Sequence, residues 1–516
     1  MRTEDSEDVG LDTDPAGRLF EALHGDDDDA VVRALRAGAP AEATDEDGQT
    51  ALYAAAARDR PGMVRLLLAA GADPDRASGA EGAELPLCGT AVWGHTEAMR
   101  ALLAAGAQVD LAEEPGVRAL IWACREGRAE VVELLLAAGA DPDLPGPDGQ
   151  PPLVTATRRG SPSCVRALLR CGASAAAEAL AEARRWAGTD VAAELRRGLA
   201  EVYEVAESQV ETRRVEEDGG ETVIAEVVRD GRHIAGNEQQ TGHAAIATLL
   251  EDALGVRTPA EELAGRALRR GDPDMDDWTE AVAVLQRRGD EETFRAAAAW
   301  AGTGDALRQT FAADVLAGLG HADGDGVGAG SGVGQGVAAR VVPLLRELAR
   351  ESEEPEVIRA AVTGLGRQGD PAGVTEILRH AGHPDPEVRF GVAVALHGLV
   401  PGDHTGAVEA VLGLTRDGDD GVRDWATAVL ADVEADGPEI REALAARLAD
   451  PVPDIEAEAA RGLAMRQDGR AVEALARILA DEDPEGYAYS MAEQAVEYVT
   501  DERVRLRLEA TLPRSR

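Results

Sequence analysis

Arg232, His233, Asn237 and His243, set around Gly231 and Gly242, form the most enzyme-like cluster in the sequence. An imidazole beside a guanidinium and an amide could move protons, provided a nucleophile or a carboxylate stands at a fixed spacing. No such partner stands at a diagnostic spacing, so these histidines are expected on a solvated loop. His380, His383, His397 and His404 pose a metal question. They straddle loops in two successive segments, whereas ligands on a helix share one face, so no metal site is assigned. Cys88, Cys124, Cys164 and Cys171 lie inside helical patterns without zinc-like pairing and read as reduced, partly buried thiols. No catalytic residue, metal or cofactor is assigned from these groups.

The elements that carry these residues are thin. Hydrophobic residues make up 44% of the 516, but aromatics only 3%. A core filled by Ala, Leu and Val suits stacked helices better than a thick globular interior. The formal net charge is −44, and arginine supplies every basic residue other than histidine. An acidic shell of this kind disfavours duplex DNA or RNA, which bind through phosphate neutralisation by a basic surface. It fits a basic protein partner. Met1–Pro15 is acidic and polar, without the basic-then-apolar order of a secretion signal. No run of about 18 apolar residues is present to span a membrane. A cytoplasmic location is expected.

A Gly-Ala pair returns at Gly38, Gly71, Gly106, Gly139 and Gly172, in steps of 33, 35, 33 and 33 residues. A period near 33 marks a chain built by stacking one helical unit. Met63, Val64, Leu67 and Leu68 precede Gly71, and Val131, Val132, Leu135 and Leu136 precede Gly139, each set keeping one helical face apolar. Glycine ends such a helix in the left-handed conformation, and Asp73-Pro74 and Asp141-Pro142 bar its continuation. With Asp45, Gly48, Thr50 and Leu52 in the pattern Asp-x-x-Gly-x-Thr-x-Leu, and Gly94-His95 as an inter-helix turn, residues 15–180 resemble ankyrin repeats. The family's histidine after that leucine is replaced by Tyr53, Cys88, Ile121 and Val154, which implies a weaker loop ladder on the same fold. The resemblance also implies binding through loop tips and the concave face of the first helices. By register the tips include Glu46, Asp47, Glu84, Glu114, Val117 and, among the remaining positions, Glu81 and Asp148. The helical strip carries Arg58, Trp93, Arg125, Glu126, Arg158 and Arg159, with Trp122 nearby. Trp and Arg are the residue types that most often dominate interface energy.

Residues 181–270 read as a junction. Ala177–Val205 has the composition of one or two helices that close the stack. Val210, Thr212 and Arg214 then alternate against Thr222, Ile224 and Glu226 across Asp218-Gly219-Gly220, a β-hairpin signal. Thr258-Pro259-Ala260-Glu261 reads as a helix start.

A second periodicity fills 271–516. Val357, Val388, Val422 and Ile455 open successive helices, at steps of 31, 34 and 33, each followed by a small residue four positions on or by valine. Asp385/Arg389 and Asp419/Arg423 flank two of these anchors, and the strings resemble HEAT repeats of the bacterial phycobilisome-lyase-like type. The resemblance implies that these pairs cap helices and link repeats. Trp425, three residues after Val422, is expected in the core. Residues 321–336 form a Gly-rich insert, expected to be disordered.

The fold class is therefore all-α: two α-solenoids, ankyrin then HEAT, joined by a junction with a short β-hairpin. The function expected is a noncatalytic intracellular scaffold or regulator binding a protein, in its concrete form an immunity-type mask for a basic partner. The alternative implied by the second resemblance is an enzyme that attaches or isomerises bilin pigments.

Overall fold

The computed structural model describes residues 15–80, 82–217, 219–229, 231–320, 333–400, 404–484 and 486–511. They form two compact units, the first reaching Pro259 and including Asp274–Ala281, the second comprising Ala260–Pro273 and the chain from Val282.

The first unit opens with five helical hairpins: α1 (Pro15–Gly25) with α2 (Asp28–Arg36), α3 (Ala51–Ala56) with α4 (Pro61–Ala69), α5 (Pro86–Trp93) with α6 (Thr96–Ala104), α7 (Ala119–Glu126) with α8 (Ala129–Ala137), and α9 (Pro152–Arg159) with α10 (Pro162–Arg170). First helices stack on first helices and second on second. The Gly-Ala glycines all adopt positive φ, between 84° and 98°, so each second helix stops without the penalty a Cβ would bring. Gly94, Gly127 and Gly160 do the same at the ends of α5, α7 and α9. Met63, Val64, Leu67, Val131, Val132 and Leu135 are buried as the periodicity predicts, each worth about 1.5–3 kcal/mol for the larger side chains.

Carboxylates tie one repeat to the next. Gln108 N–H donates to Asp75 (2.9 Å) and Ser174 N–H to Asp143 (2.8 Å), while Asp141 N–H reaches both oxygens of Asp110 at 3.3 Å. At the substituted histidine positions, Glu84 and Glu113 face Tyr53, and Glu113 also faces Cys88; burial with these carboxylates pushes the Tyr53 phenol up to about 12. The loop ladder is thus rebuilt on acidic side chains, so part of the negative charge is structural. Between α6 and α7 a short antiparallel pair, β1 (Ala112–Glu113) and β2 (Val117–Arg118), places Glu114 at its exposed tip, whereas Val117 is buried rather than a contact position.

The junction contains the predicted hairpin, extended by a third strand. Helix α11 (Ala176–Ala187) stacks on α9, but α12 (Val191–Val202) leaves the stack to back a three-stranded antiparallel sheet. Its strands are β3 (Val210–Glu217), β4 (Gly220–Arg229) and β5 (Arg232–Gln240), in that order. Ala225 and Val227 point inward to join Val210, Leu199 and Ala200 in a small core, with Val223 also buried, which explains why two strands alone would not suffice. The expected loop around Arg232, His233 and Asn237 is β5. His243 opens helix α13 (His243–Ala253), which returns to pack on α11 and α10. The expected turn residue Asp218 lies outside the described residues.

The second unit begins with α14 (Ala260–Leu268), starting where Thr258-Pro259 predicts, and takes in the C-terminal part of α15 (Asp276–Arg288). Next come α16 (Glu291–Ala301), α17 (Ala306–Gly318), α18 (Val333–Glu351), α19 (Pro355–Gln368), α20 (Val374–Arg379), α21 (Pro386–Leu396), α22 (Thr405–Leu414), α23 (Asp420–Asp432), α24 (Pro438–Arg447), α25 (Pro453–Met465), α26 (Ala471–Asp481), α27 (Tyr487–Val496) and α28 (Glu502–Glu509). Helices α17, α19, α21, α23, α25 and α27 stack directly on one another. Small residues permit the approach: a Cβ on Gly366 would stand 2.4 Å from Ala395 Cα. Of the Gly-rich insert, 321–332 lies outside the described residues, and 333–336 belong to α18.

The Asp/Arg pairs act as the resemblance implies. Asp385 and Asp419 cap α21 and α23 through Glu387 and Val422 N–H. Arg389 forms two parallel bonds to Asp417 (2.7 and 2.8 Å), and Arg423 spans to Asp450 (3.2 and 3.3 Å). Trp425 corrects its expectation. It is 37% exposed, because Val422, Ala426 and Leu430 complete the buried stripe and a residue three after Val422 falls on its edge.

Candidate functional site

A groove of about 670 Å³ lies in the first unit between the first helices of the stack and the sheet. Trp93, Arg125, Glu126, Arg158 and Arg159 come from the ends of α5, α7 and α9; Ile224 and Glu226 of β4 and Gly236–Gln239 of β5 form the opposite wall. The alternation of β4 explains that wall: with Val223 buried and Ala225 and Val227 turned to the small core, Ile224 and Glu226 must face the stack.

β5 docks on the stack through a dense set of contacts. The Arg159 guanidinium donates to the Glu238 carbonyl (2.6 Å) and carboxylate (2.5 Å), and its side chain is only 9% exposed. Gln239 Nε2 donates to the carbonyls of Arg158 (2.7 Å) and Arg159 (2.5 Å), capping the end of α9. Gly242 N–H donates to Gly160 O at 3.1 Å. That approach needs a glycine: a Cβ on Gly160 would meet Gln240 O at 2.2 Å. The side chain of Asn237 accepts from Glu238 N–H, so much of the outward edge of β5 is already satisfied.

His243 anchors the same seam. It is 1% exposed, stacks on Trp186 at 5.4 Å with planes 13° apart, and lies 3.4 Å from Arg158 O. Burial holds its imidazole down to about 4, so it is a neutral packing group rather than the solvated loop histidine expected. His233 is exposed, 3.5 Å from Glu226. The cluster is therefore split between a strand surface and a buried seam.

The expected contact residues separate into two groups. Trp93, Arg125, Arg158 and Arg159 converge on the groove. Trp93 is 62% exposed. Arg158 pairs with Glu182 at 3.0 Å, whose carboxyl is held down to about 2 by hydrogen bonds from Arg185 and then Arg158, against the opposing effect of burial. Arg125 lies over the Trp122 ring, 4.9 Å from its centroid, and Trp122 Nε1 donates to Glu113 at 2.5 Å. Trp122, Arg58, Glu46, Asp47, Glu84 and Glu114 are not in the groove lining. Arg58 donates to Ala54 O at 3.2 Å, and the four acidic tips are exposed; Glu81 lies outside the described residues.

Sequence reasoning missed the sheet wall and Arg128. Three buried polar atoms here, Arg128 Nε, Arg159 Nε and Gln240 Oε1, have no hydrogen-bond partner. All three residues line the continuation of the groove, a hollow of about 710 Å³ that shares Trp93 and Glu126. The wall of the hollow thereby holds two unmatched donors and one unmatched acceptor. Four arginines, Arg125, Arg128, Arg158 and Arg159, stand against four carboxylates, Glu126, Asp148, Glu226 and Glu238, so the groove is balanced in charge although the chain is strongly acidic.

Three histidines of the second unit, His380, His383 and His404, have structural roles. His380 Nε2 lies 2.7 Å from Ala349 O, and His383 and His404 accept from the N–H groups of Asp385 and Ala407. Among the described residues, no group of three His, Cys, Asp or Glu is placed to hold a metal ion, and no helix is long and apolar enough to cross a membrane.

A family model for ankyrin repeats matches residues 19–112 and 87–179, and one for HEAT repeats matches 342–431. No curated protein matches the chain. The chain thus carries ankyrin repeats followed by HEAT repeats, an architecture of protein-interaction scaffolds.

Proposed function

We propose that this protein is a noncatalytic scaffold or regulator whose first unit holds an extended segment of a protein partner in the groove beside Trp93. The observation that carries this reading is the exposed Trp93 at the mouth of a hollow whose wall holds two unmatched donors and one unmatched acceptor. A large, rigid aromatic supplies contact area at small entropic cost, and a wall of mixed donors and acceptor suits a peptide backbone. The net charge of −44 favours a basic partner by long-range attraction; the balanced groove sets register rather than sign. Masking of a basic partner in the manner of an immunity protein is the concrete form of the proposal, with the cytoplasm as its setting.

Capture from native lysate tests it. The intact chain is compared with Trp93→Ala/Arg125→Ala at two ionic strengths. A basic protein retained at low salt by the intact chain, and lost by the variant with helicity unchanged, is the expected result. Equal retention by both chains would place the contact elsewhere.

A further inference from the structure

We propose that the segment held in the first-unit groove carries a glutamine whose side-chain amide caps the end of α7, as Gln239 of β5 caps the end of α9. This rests on the reading above and names the chemistry by which the partner is recognised.

The repeats set up equivalent helix ends. Gly94, Gly127 and Gly160 close α5, α7 and α9 and follow one another at steps of 33 residues. The last carbonyls of each helix find no partner within it. At α9 the chain brings its own donors: Gln239 Nε2 donates to the carbonyls of Arg158 (2.7 Å) and Arg159 (2.5 Å), and His243 stands beside Arg158 O. At α3 the next repeat does so, with His95 Nε2 3.3 Å from Ala57 O. Two steps of 33 residues beyond His95 stands Ser161. Its hydroxyl accepts from Cys164 N–H at 3.3 Å and is engaged by its own helix. Among the described residues no donor reaches the carbonyls of Arg125 and Glu126, the end of α7. Both residues line the groove. The wall beside them is also short of a donor: Gln240 Oε1, which a Cβ on Gly127 would meet at 2.5 Å, has no partner.

An occupant of this end must therefore bring N–H groups. A primary amide carries two on one nitrogen, without charge, and β5 shows that one such nitrogen serves two successive carbonyls. A lysine or arginine would also donate, but would enter beside Arg125, Arg128, Arg158 and Arg159. Trp93 holds the position one repeat before Glu126, so a segment that caps α7 also meets the exposed indole.

The probe is the acetylated and amidated hexapeptide Asn-Glu-Gln-Gln-Thr-Gly, a copy of residues 237–242. Its counterpart carries the γ-methyl ester of glutamate in place of the first glutamine, which stays neutral and loses both N–H groups. Indole N–H resonances of the full chain give the readout, with Trp93→Phe and Trp186→Phe assigning two of its six tryptophans. The expected result is a saturable shift of the Trp93 resonance with the amide peptide, and an apparent affinity about tenfold weaker with the ester. Trp186, stacked on His243 where β5 docks, should stay still. Ser161→His, which supplies Arg125 O with the cap that His95 gives Ala57 O, should abolish the shift with helicity unchanged. The ester comparison needs no variant, so the test stands if that substitution unsettles the fold. A silent Trp93 resonance, an equal response to the ester, or full binding to a folded Ser161→His chain would overturn the proposal. Movement of Trp186 in place of Trp93 would overturn it too, since the peptide would then be displacing β5 from α9. Capture of a protein that depends on Trp93, beside a silent peptide, would keep the groove reading and end this one.

Discussion

The two stacks solve the problem of joining repeats with different chemistry. In the first unit a carboxylate of one repeat accepts a backbone N–H of the next, as Asp75 does from Gln108 and Asp143 from Ser174. In the second, a guanidinium reaches across in a bidentate bridge, as Arg389 does to Asp417. The first device consumes negative charge without using a cation; the second cancels it. They also differ in how the helices end. Left-handed glycines close α5, α7 and α9, whereas a side chain of the following repeat covers the last carbonyls of α17 and α23, Gln368 on Ala317 O (2.9 Å) and Arg466 on Ala431 O (2.8 Å). The first unit therefore leaves its helix ends open to another backbone, and its own sheet takes that place at α9. The second unit covers the ends of α17 and α23 with its own side chains and exposes Trp425 on a helix flank.

The sharpest way to break this contrast is to crowd each stack at the glycine that comes closest to another backbone. Gly366→Val drives a side chain into Ala395 and should cost about 3–5 kcal/mol, read as a large fall in the melting transition of the second unit. Gly160→Ala adds a Cβ at φ 81° against Gln240 O. It should cost about 2–4 kcal/mol, and hydrogen exchange should show β5 losing protection while α7 keeps it. Equal loss along the whole stack would mean that the sheet is part of the stack's core rather than docked upon it.

Next comes pH. The buried His243 binds its proton near pH 4 when folded and near 6.5 when unfolded. The unfolded chain thus holds more protons between those values, and the first unit loses up to about 3 kcal/mol as pH falls through that window. Asp276, pushed up to about 6 by burial, works in the opposite direction over about pH 4–6, because there the folded chain holds the extra proton. Comparing the intact chain with His243→Gln isolates the first effect: the variant should be less sensitive to acid between pH 6.5 and 4. Parallel curves would remove His243 from the seam's energetics.

Smaller effects come from the ladders. Asp417→Ala strands a largely buried Arg389 and should cost about 2–3 kcal/mol. Asp75→Ala removes an exposed acceptor and should cost about 0.5–1 kcal/mol. The hydrogen bonds from Arg389 also hold the Asp417 carboxyl below its usual value. That bridge's stabilisation is fully present above about pH 4 and fades as pH falls through the lower folded value.

Much of this was legible in the chain. Gly38 to Gly172 fixes the ankyrin period, and Asp385/Arg389 and Asp419/Arg423 announce the caps and bridges of the second stack. The ends of α5, α7 and α9 put Trp93, Arg125, Arg158 and Arg159 where register predicts. What escaped is β5. Its residues, Arg232 to Gln240, lack apolar alternation, because only Ala235 packs on the small core and the strand is held by the stack through side chains and carbonyls distant in sequence. Trp425 escaped for a related reason: a spacing of three residues does not separate the centre of a helical stripe from its edge.

The central claim is that the groove beside Trp93 is where a protein partner lies. The most direct measurement replaces Trp93 with photoreactive benzoyl-phenylalanine in the full chain, irradiates it in native lysate, and identifies the adduct. Tyr203, exposed and away from the groove lining, carries the same group as the control. The account predicts one dominant adduct at position 93, to an extended segment of a basic protein, and none at 203. No adduct at 93, or the same adducts at both positions, would contradict it.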